Sequence, residues 1–154
     1  VTFGKAFGLS GAAVLCDSQV GDYLTQFARH HVYSTAMPPS LAHALTCAAK
    51  KLRGEQWRRD KLAELQACYH ENLSDLDGYV ETQTAIKPFV IGDSANAVKL
   101  SKLLASDKCW VSAIRPPTVP VGTSRLRITL TVNHTQQQIE HLARSIRRNM
   151  ECVK

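Results

Sequence analysis

Apolar positions along the chain follow two different periods, and the points where one gives way to the other mark out the elements. The run Gly11-Ala12-Ala13-Val14-Leu15-Cys16 is short and continuously apolar, the pattern of a buried strand. Between residues 18 and 28, Val20, Tyr23, Leu24, Phe27 and Ala28 recur at helical spacing, with Asp17 or Ser18 placed to cap the first turn. Pro38-Pro39 interrupts that regime. A second helix, rich in alanine and leucine, is expected over residues 39–52 and stops near Gly54. A long amphipathic helix follows from about Glu55 to Leu76. Leu62, Leu65, Tyr69 and Leu76 lie along one stripe, with Arg58, Arg59, Lys61 and Glu64 largely outside it. Asp77-Gly78 ends it as a turn.

Beyond that turn, strand and helix patterns alternate. Ala85 to Ile91 reads as a strand, Gly92-Asp93-Ser94 as a turn and cap, and Ala95 to Ala105 as a helix. Cys109 to Ile114 is a second strand, and Pro116, Pro117 and Pro120 stiffen the loop after it. Residues 125–131, Arg-Leu-Arg-Ile-Thr-Leu-Thr, alternate with a period of two. The last helix is expected from about Thr135 to Met150, with Ile139, Leu142, Ile146 and Met150 on one face. This order predicts an α/β chain whose C-terminal part is a small α+β domain, a sheet flanked by helices. Residues 1–54 read as the incomplete end of a larger domain, because a single strand makes no sheet. Residues 55–78 read as a linking helix, and residues 79–154 as the small C-terminal domain and the more autonomous unit. The chain opens on Val1 and runs directly into a motif, which points to a trimmed piece of a longer protein.

Composition narrows the function classes. The chain has 154 residues and a formal net charge of +6. A basic balance serves nucleic acid, an acidic surface or an anionic small substrate, or only a solvated exterior. No zinc finger, RNA-recognition signature or basic helix with interleaved aromatics is present, so a nucleic-acid partner is not expected. No apolar run approaches the roughly 18 residues that span a bilayer, and no signal peptide is visible, so no membrane partner is expected. Cys16, Cys47, Cys68, Cys109 and Cys152 are odd in number and lack CxxC spacing, which fits reduced thiols in a cytoplasmic protein and no cysteine metal site. Cys16 and Cys109 lie beside strand-like runs and read as core filler. The histidines show no ligand spacing, and the adjacent pair His30-His31 does not share a helix face.

The chemistry concentrates in three short blocks. In the first, Thr2-Phe3-Gly4-Lys5-Ala6-Phe7-Gly8, a lysine sits between glycines. A nucleophilic lysine needs room for a bulky aldehyde and a loop that fixes its amine, and glycines allow that close approach. A Gly-Lys pair in a loop is, taken alone, usually just a turn, and the spacing is not that of a P-loop. The second block is Tyr33-Ser34-Thr35-Ala36-Met37-Pro38-Pro39. The third runs Trp110-Val111-Ser112-Ala113-Ile114-Arg115-Pro116-Pro117-Thr118-Val119-Pro120 and continues through Gly122-Thr123 to Arg125-Leu126-Arg127.

These three blocks, in this order, resemble the α-oxoamine synthases, a branch of the fold-type-I enzymes that use pyridoxal 5′-phosphate. The resemblance covers nearly the whole chain. It implies that Lys5 carries the cofactor covalently and removes the α-proton of the amino-acid substrate. It implies that Thr2 hydrogen-bonds the cofactor phosphate, and that Thr35 reaches the phosphate held by the second subunit of a homodimer. It assigns the substrate carboxylate to Arg127, with Thr118 and the proline loop lining the site beside it. Alternation alone places Arg125 and Arg127 on one face and does not choose between them. Arg115 is open between a contact to an anionic acyl-carrier group and a brace at the strand end. Within the family the third block looks closest to the branch that condenses L-alanine with a pimeloyl thioester in biotin synthesis. Glycine C-acetyltransferase and other branches are the alternatives, as is a non-enzymatic basic α/β module that binds an anionic partner. The family's aspartate at the pyridine nitrogen and its ring-side histidines lie before the lysine, so this stretch alone is expected to bind the cofactor weakly and turn nothing over.

Overall fold

The computed structural model describes residues 1–153, which divide into two compact units, one over Val1–Gln56 and one from Trp57 onward. The first unit holds α1 (Ser18–Phe27), α2 (Arg29–Val32) and α3 (Pro39–Gly54). Asp17 caps α1, its carboxylate accepting from the Val20 amide at 2.9 Å. Pro39 opens α3 at the one helical position where a missing N–H costs nothing. Residues 11–16 form no strand, contrary to the pattern. Thr2 and Ala12 make a single bridge, and Val14 and Leu15 are 73% and 80% exposed. A run of apolar residues becomes a strand only when a neighbour takes up its backbone groups, and the described residues of this unit offer one no further than Ala13, whose amide donates to the Val1 carbonyl. Cys16 is accordingly exposed rather than packed in a core, whereas Cys109, half-buried, packs against the core of the second unit. No described residue of this unit is fully buried.

The second unit carries the core. It holds α4 (Gln56–Leu73), β1 (Ile86–Gly92), α5 (Ser94–Ser106), β2 (Ser112–Ile114), β3 (Ser124–Thr129) and α6 (Gln136–Met150). The strands form one antiparallel sheet in the order β1-β3-β2, so the last strand lies between the first two. On one face α4, α5 and α6 bury Leu65, Tyr69, Leu73, Leu100, Leu104 and Ile146 against Phe89 and Leu126. Each such leucine, isoleucine or phenylalanine contributes about 1.5–3 kcal/mol by leaving water, whereas Tyr69 buries a hydroxyl that finds no hydrogen-bond partner among the described residues. The helix expected as a link is therefore largely a wall of this core, and the compact unit begins at Trp57 rather than at residue 79. Lys87 alternates inward with Phe89. Its ammonium donates to Gln66 Oε1 at 3.0 Å and to the Thr82 carbonyl at 2.6 Å, and burial lowers its pKa.

Ties between distant residues close the unit. Arg147 forks onto the Asp75 carboxylate and also reaches the Asn72 carbonyl, which joins α6 to the end of α4. Asp107, after α5, receives Arg148 and the Asn149 amide from α6. Hydrogen bonds from Arg147 and Arg148 respectively are the main reason that both carboxyls titrate below their usual range. α6 starts in a reciprocal capping box between Thr135 and Gln138. The end of α5 is less comfortable. Lys108 takes φ 63°, the left-handed position that glycine fills at lowest cost, while the Cys109 amide returns to the Leu104 carbonyl at 2.8 Å. Lys108→Gly is therefore expected to stabilise the protein by about 0.5–1 kcal/mol, read as a higher urea midpoint at unchanged slope.

Candidate active site

The segment around Lys5 folds back on itself. The Phe3 amide donates to the Gly11 carbonyl, the Leu9 amide to the Phe3 carbonyl and the Gly8 amide to the Lys5 carbonyl, each at 2.9 Å. Phe3 and Phe7 meet edge to face with ring centroids 5.2 Å apart, half-buried beneath the loop. Lys5 stands exposed on the turn between them, its carbonyl engaged in the loop and its amine facing out. Gly8 turns the chain at φ 64°, and an added Cβ there would meet nothing within 4 Å.

Gly11 shows how the first two blocks come together. It has φ 100°, and a Cβ on it would lie 3.0 Å from Met37 Cε and 3.4 Å from Phe3 Cδ2. Met37 belongs to the Thr35–Pro38 stretch before α3, so that stretch packs directly on the Lys5 loop. Thr2 and Thr35 are both exposed, their hydroxyls available to phosphate oxygens. The residues present fit a phosphorylated aldehyde cofactor: one accessible amine, two exposed hydroxyls and an uncrowded glycine turn.

The other sequence-derived candidates sit in the second unit, on the sheet face that its helices leave open. Arg127 is exposed on β3, paired across to Pro88 on β1 and Ser112 on β2. Arg125 shares that face, beside Val90 and Ile114, and its Nε donates to the Thr123 carbonyl at 3.0 Å. The two arginines differ in their surroundings. Arg125 braces the loop before its own strand, whereas Arg127 extends from the centre of the open face. Arg115 follows β2, exposed, and its carbonyl accepts from the Thr118 amide at 3.0 Å across a cis Pro116-Pro117 bond. Thr118 is exposed on that turn.

Ser112 is the residue of this face that sequence reasoning passed over. It is exposed and in register with Arg127, so the two share an edge of any group bound there. Its signal was available in the alternation of the strand but invisible without the pairing partner.

The family model for class I and II aminotransferases matches residues 1–146. The chain is 62% identical over 151 residues to the 8-amino-7-oxononanoate synthase of Vibrio cholerae, covering 98% of this chain and 39% of that protein. It is 60% identical over 153 residues to the enzyme of the same name from Vibrio campbellii, covering 99% and 40%. Among solved structures, the 8-amino-7-oxononanoate synthase of Francisella tularensis superposes with a TM-score of 0.85 at 29% identity, over 98% of this chain and 44% of that one. A serine palmitoyltransferase from Sphingomonas wittichii superposes at 0.86 and 28% identity, over 99% and 39%. The chain spans about two fifths of the length of the curated relatives it matches. The α/β architecture expected from the pattern is the architecture observed, and with the family model matched over residues 1–146 the chain belongs to the class I and II aminotransferases.

Proposed function

We propose that this chain is part of an 8-amino-7-oxononanoate synthase, a cytoplasmic homodimeric acyltransferase that condenses L-alanine with a pimeloyl thioester and releases carbon dioxide. The observation that carries the reading is the accessible Lys5 on its glycine loop, in a chain 62% identical to a relative of that name. Pyridoxal 5′-phosphate, when bound, supplies the electron sink that such a condensation needs at the amino acid's α-carbon. The protein's own residues supply the rest. Lys5 holds the cofactor and takes the α-proton. Thr2 donates to the phosphate, and Thr35 donates to the phosphate held by the second subunit. Arg127 offers a planar fork that matches a carboxylate bidentately. Thr118 closes the site beside it, and Arg115 offers a cation to the acyl carrier.

Borohydride treatment of the full-length protein after loading with pyridoxal phosphate tests the reading. A reduced adduct mapped to Lys5 supports it; saturating cofactor with Lys5 unmodified defeats it. A second expected result concerns Arg127→Lys, which keeps the charge and loses the fork. It should raise the KM for alanine about tenfold, roughly 1.4 kcal/mol, while cofactor affinity stays constant. An unchanged KM would move the carboxylate to Arg125 or Arg115.

A further inference from the structure

A second concave site lies wholly within the second unit and uses none of the residues assigned above. It is a cleft of 180 Å³ between the loop after α5, the end of β3 and the start of α6. A cavity of roughly 150 Å³ takes a benzene ring, so this one admits a single planar ring system. Trp110 forms one side, and it is 93% exposed. The lining includes Lys108, His134 and His141 and no carboxylate. Asp107, next to Lys108 in the chain, is already matched by Arg148 and Asn149.

The hydrogen bonds fix what the histidines present. His134 Nδ1 accepts from the Thr131 amide at 3.1 Å, so in the neutral ring the proton sits on Nε2, a free donor. His141 Nε2 donates to the Asp107 carbonyl at 2.9 Å, which pins that ring at the wall. Lys108, left-handed just past the end of α5, lines the cleft. An exposed indole beside the His134 Nε2–H and a lysine matches a flat heteroaromatic ring that carries an anion.

We propose that this cleft binds a purine nucleotide, the base stacked on Trp110 and the phosphate held by Lys108 and His134. The site does not rest on the acyl-transfer reading and stands or falls separately from it. Calorimetric titration of the full-length protein with AMP, adenosine and inorganic phosphate tests it. AMP is expected to bind saturably and at least about tenfold more tightly than either half. Lys108→Gly, which the fold predicts to be at least as stable as the parent, should weaken AMP about tenfold and leave adenosine unchanged. Trp110→Ala should weaken both AMP and adenosine. Displacement of AMP by coenzyme A would assign the site to the nucleotide handle of a thioester carrier, and failure to displace it would assign the site to a free nucleotide. AMP binding no tighter than phosphate, or unaltered by Lys108→Gly, overturns the proposal.

Discussion

Lys5→Ala is expected to lower turnover of the full-length protein by about a thousandfold or more without unfolding it. On the proposed reading two functions leave with one amine: the covalent hold on the cofactor and the base that moves the α-proton. General-base catalysis alone is worth roughly 10²–10⁴-fold, and a lost covalent anchor adds to it. The fold has little stake in the side chain. Lys5 is exposed, and the bonds that close its loop use its carbonyl, which alanine retains. Stability should therefore stay within about 0.5 kcal/mol of the parent. Thioester-dependent release of free thiol measures the first quantity and a urea midpoint the second. Activity above a tenth of the parent's would remove Lys5 from the chemistry, and a collapsed midpoint would make it structural. Lys5→Arg separates charge from nucleophilicity, since a guanidinium keeps the cation and forms no stable covalent link. It should be as inactive as alanine.

Helices were legible wherever local chemistry decides them. Asp17 before α1, Asp93 before α5 and Thr135 before α6 each accept from an amide two or three residues into the helix, and each stands in the sequence as a cap ahead of an apolar stripe. Strands were less legible, because pairing decides them. Residues 109–114 carry one continuous strand pattern, yet only Ser112–Ile114 pair with β3. Residues 11–16 carry an equally good pattern and pair with almost nothing, because the partner is not local. The same limit hid the role of α4. Its stripe of Leu62, Leu65 and Tyr69 was visible, but nothing in the stripe says that Phe89 and Leu126 will meet it.

The candidate site was legible as motifs and not as geometry. The glycines around Lys5 alone read as a turn, and it is the order of the three blocks that carries the family resemblance. Alternation puts Arg125 and Arg127 on one face, and the 3.0 Å bond from Arg125 Nε to the Thr123 carbonyl is not encoded in it. Ser112 needed the register that sets it opposite Arg127. The Trp110 cleft needed a left-handed Lys108 and two ring tautomers, none of which any spacing encodes. Backbone conformation and long-range register are cooperative properties of the whole unit, so they surface only when its elements are assembled.

Gly78→Ala is expected to be the most damaging small substitution in the second unit, costing about 3 kcal/mol or more. Gly78 lies flat against β1: its carbonyl accepts from the Val90 amide at 2.7 Å, and its neighbour Tyr79 bridges to Phe89. A Cβ on Gly78 would stand 2.5 Å from the Val90 carbonyl oxygen and 2.5 Å from Phe89 Cε1, well inside contact. Neither obstacle can yield cheaply. Val90 is held in register against Arg125, and Phe89 is fully buried in the core. Either the turn lifts off and the bonds to β1 break, or the ring is forced from its rotamer into packed neighbours. Gly54→Ala is the matched control, because a Cβ there meets nothing within 4 Å and glycine is the poorer helix former. It should be neutral or mildly stabilising. The two urea midpoints, measured side by side, separate close packing from backbone entropy. The site should register the difference too. Pro88, one residue from the obstructed Phe89, is the cross-strand neighbour of Arg127. A β1 pushed aside should raise the KM for the amino acid in Gly78→Ala, whereas Gly54→Ala leaves it unchanged. Equal midpoints for the two variants would mean that the turn at Asp77-Gly78 relaxes freely and that β1 does not depend on it.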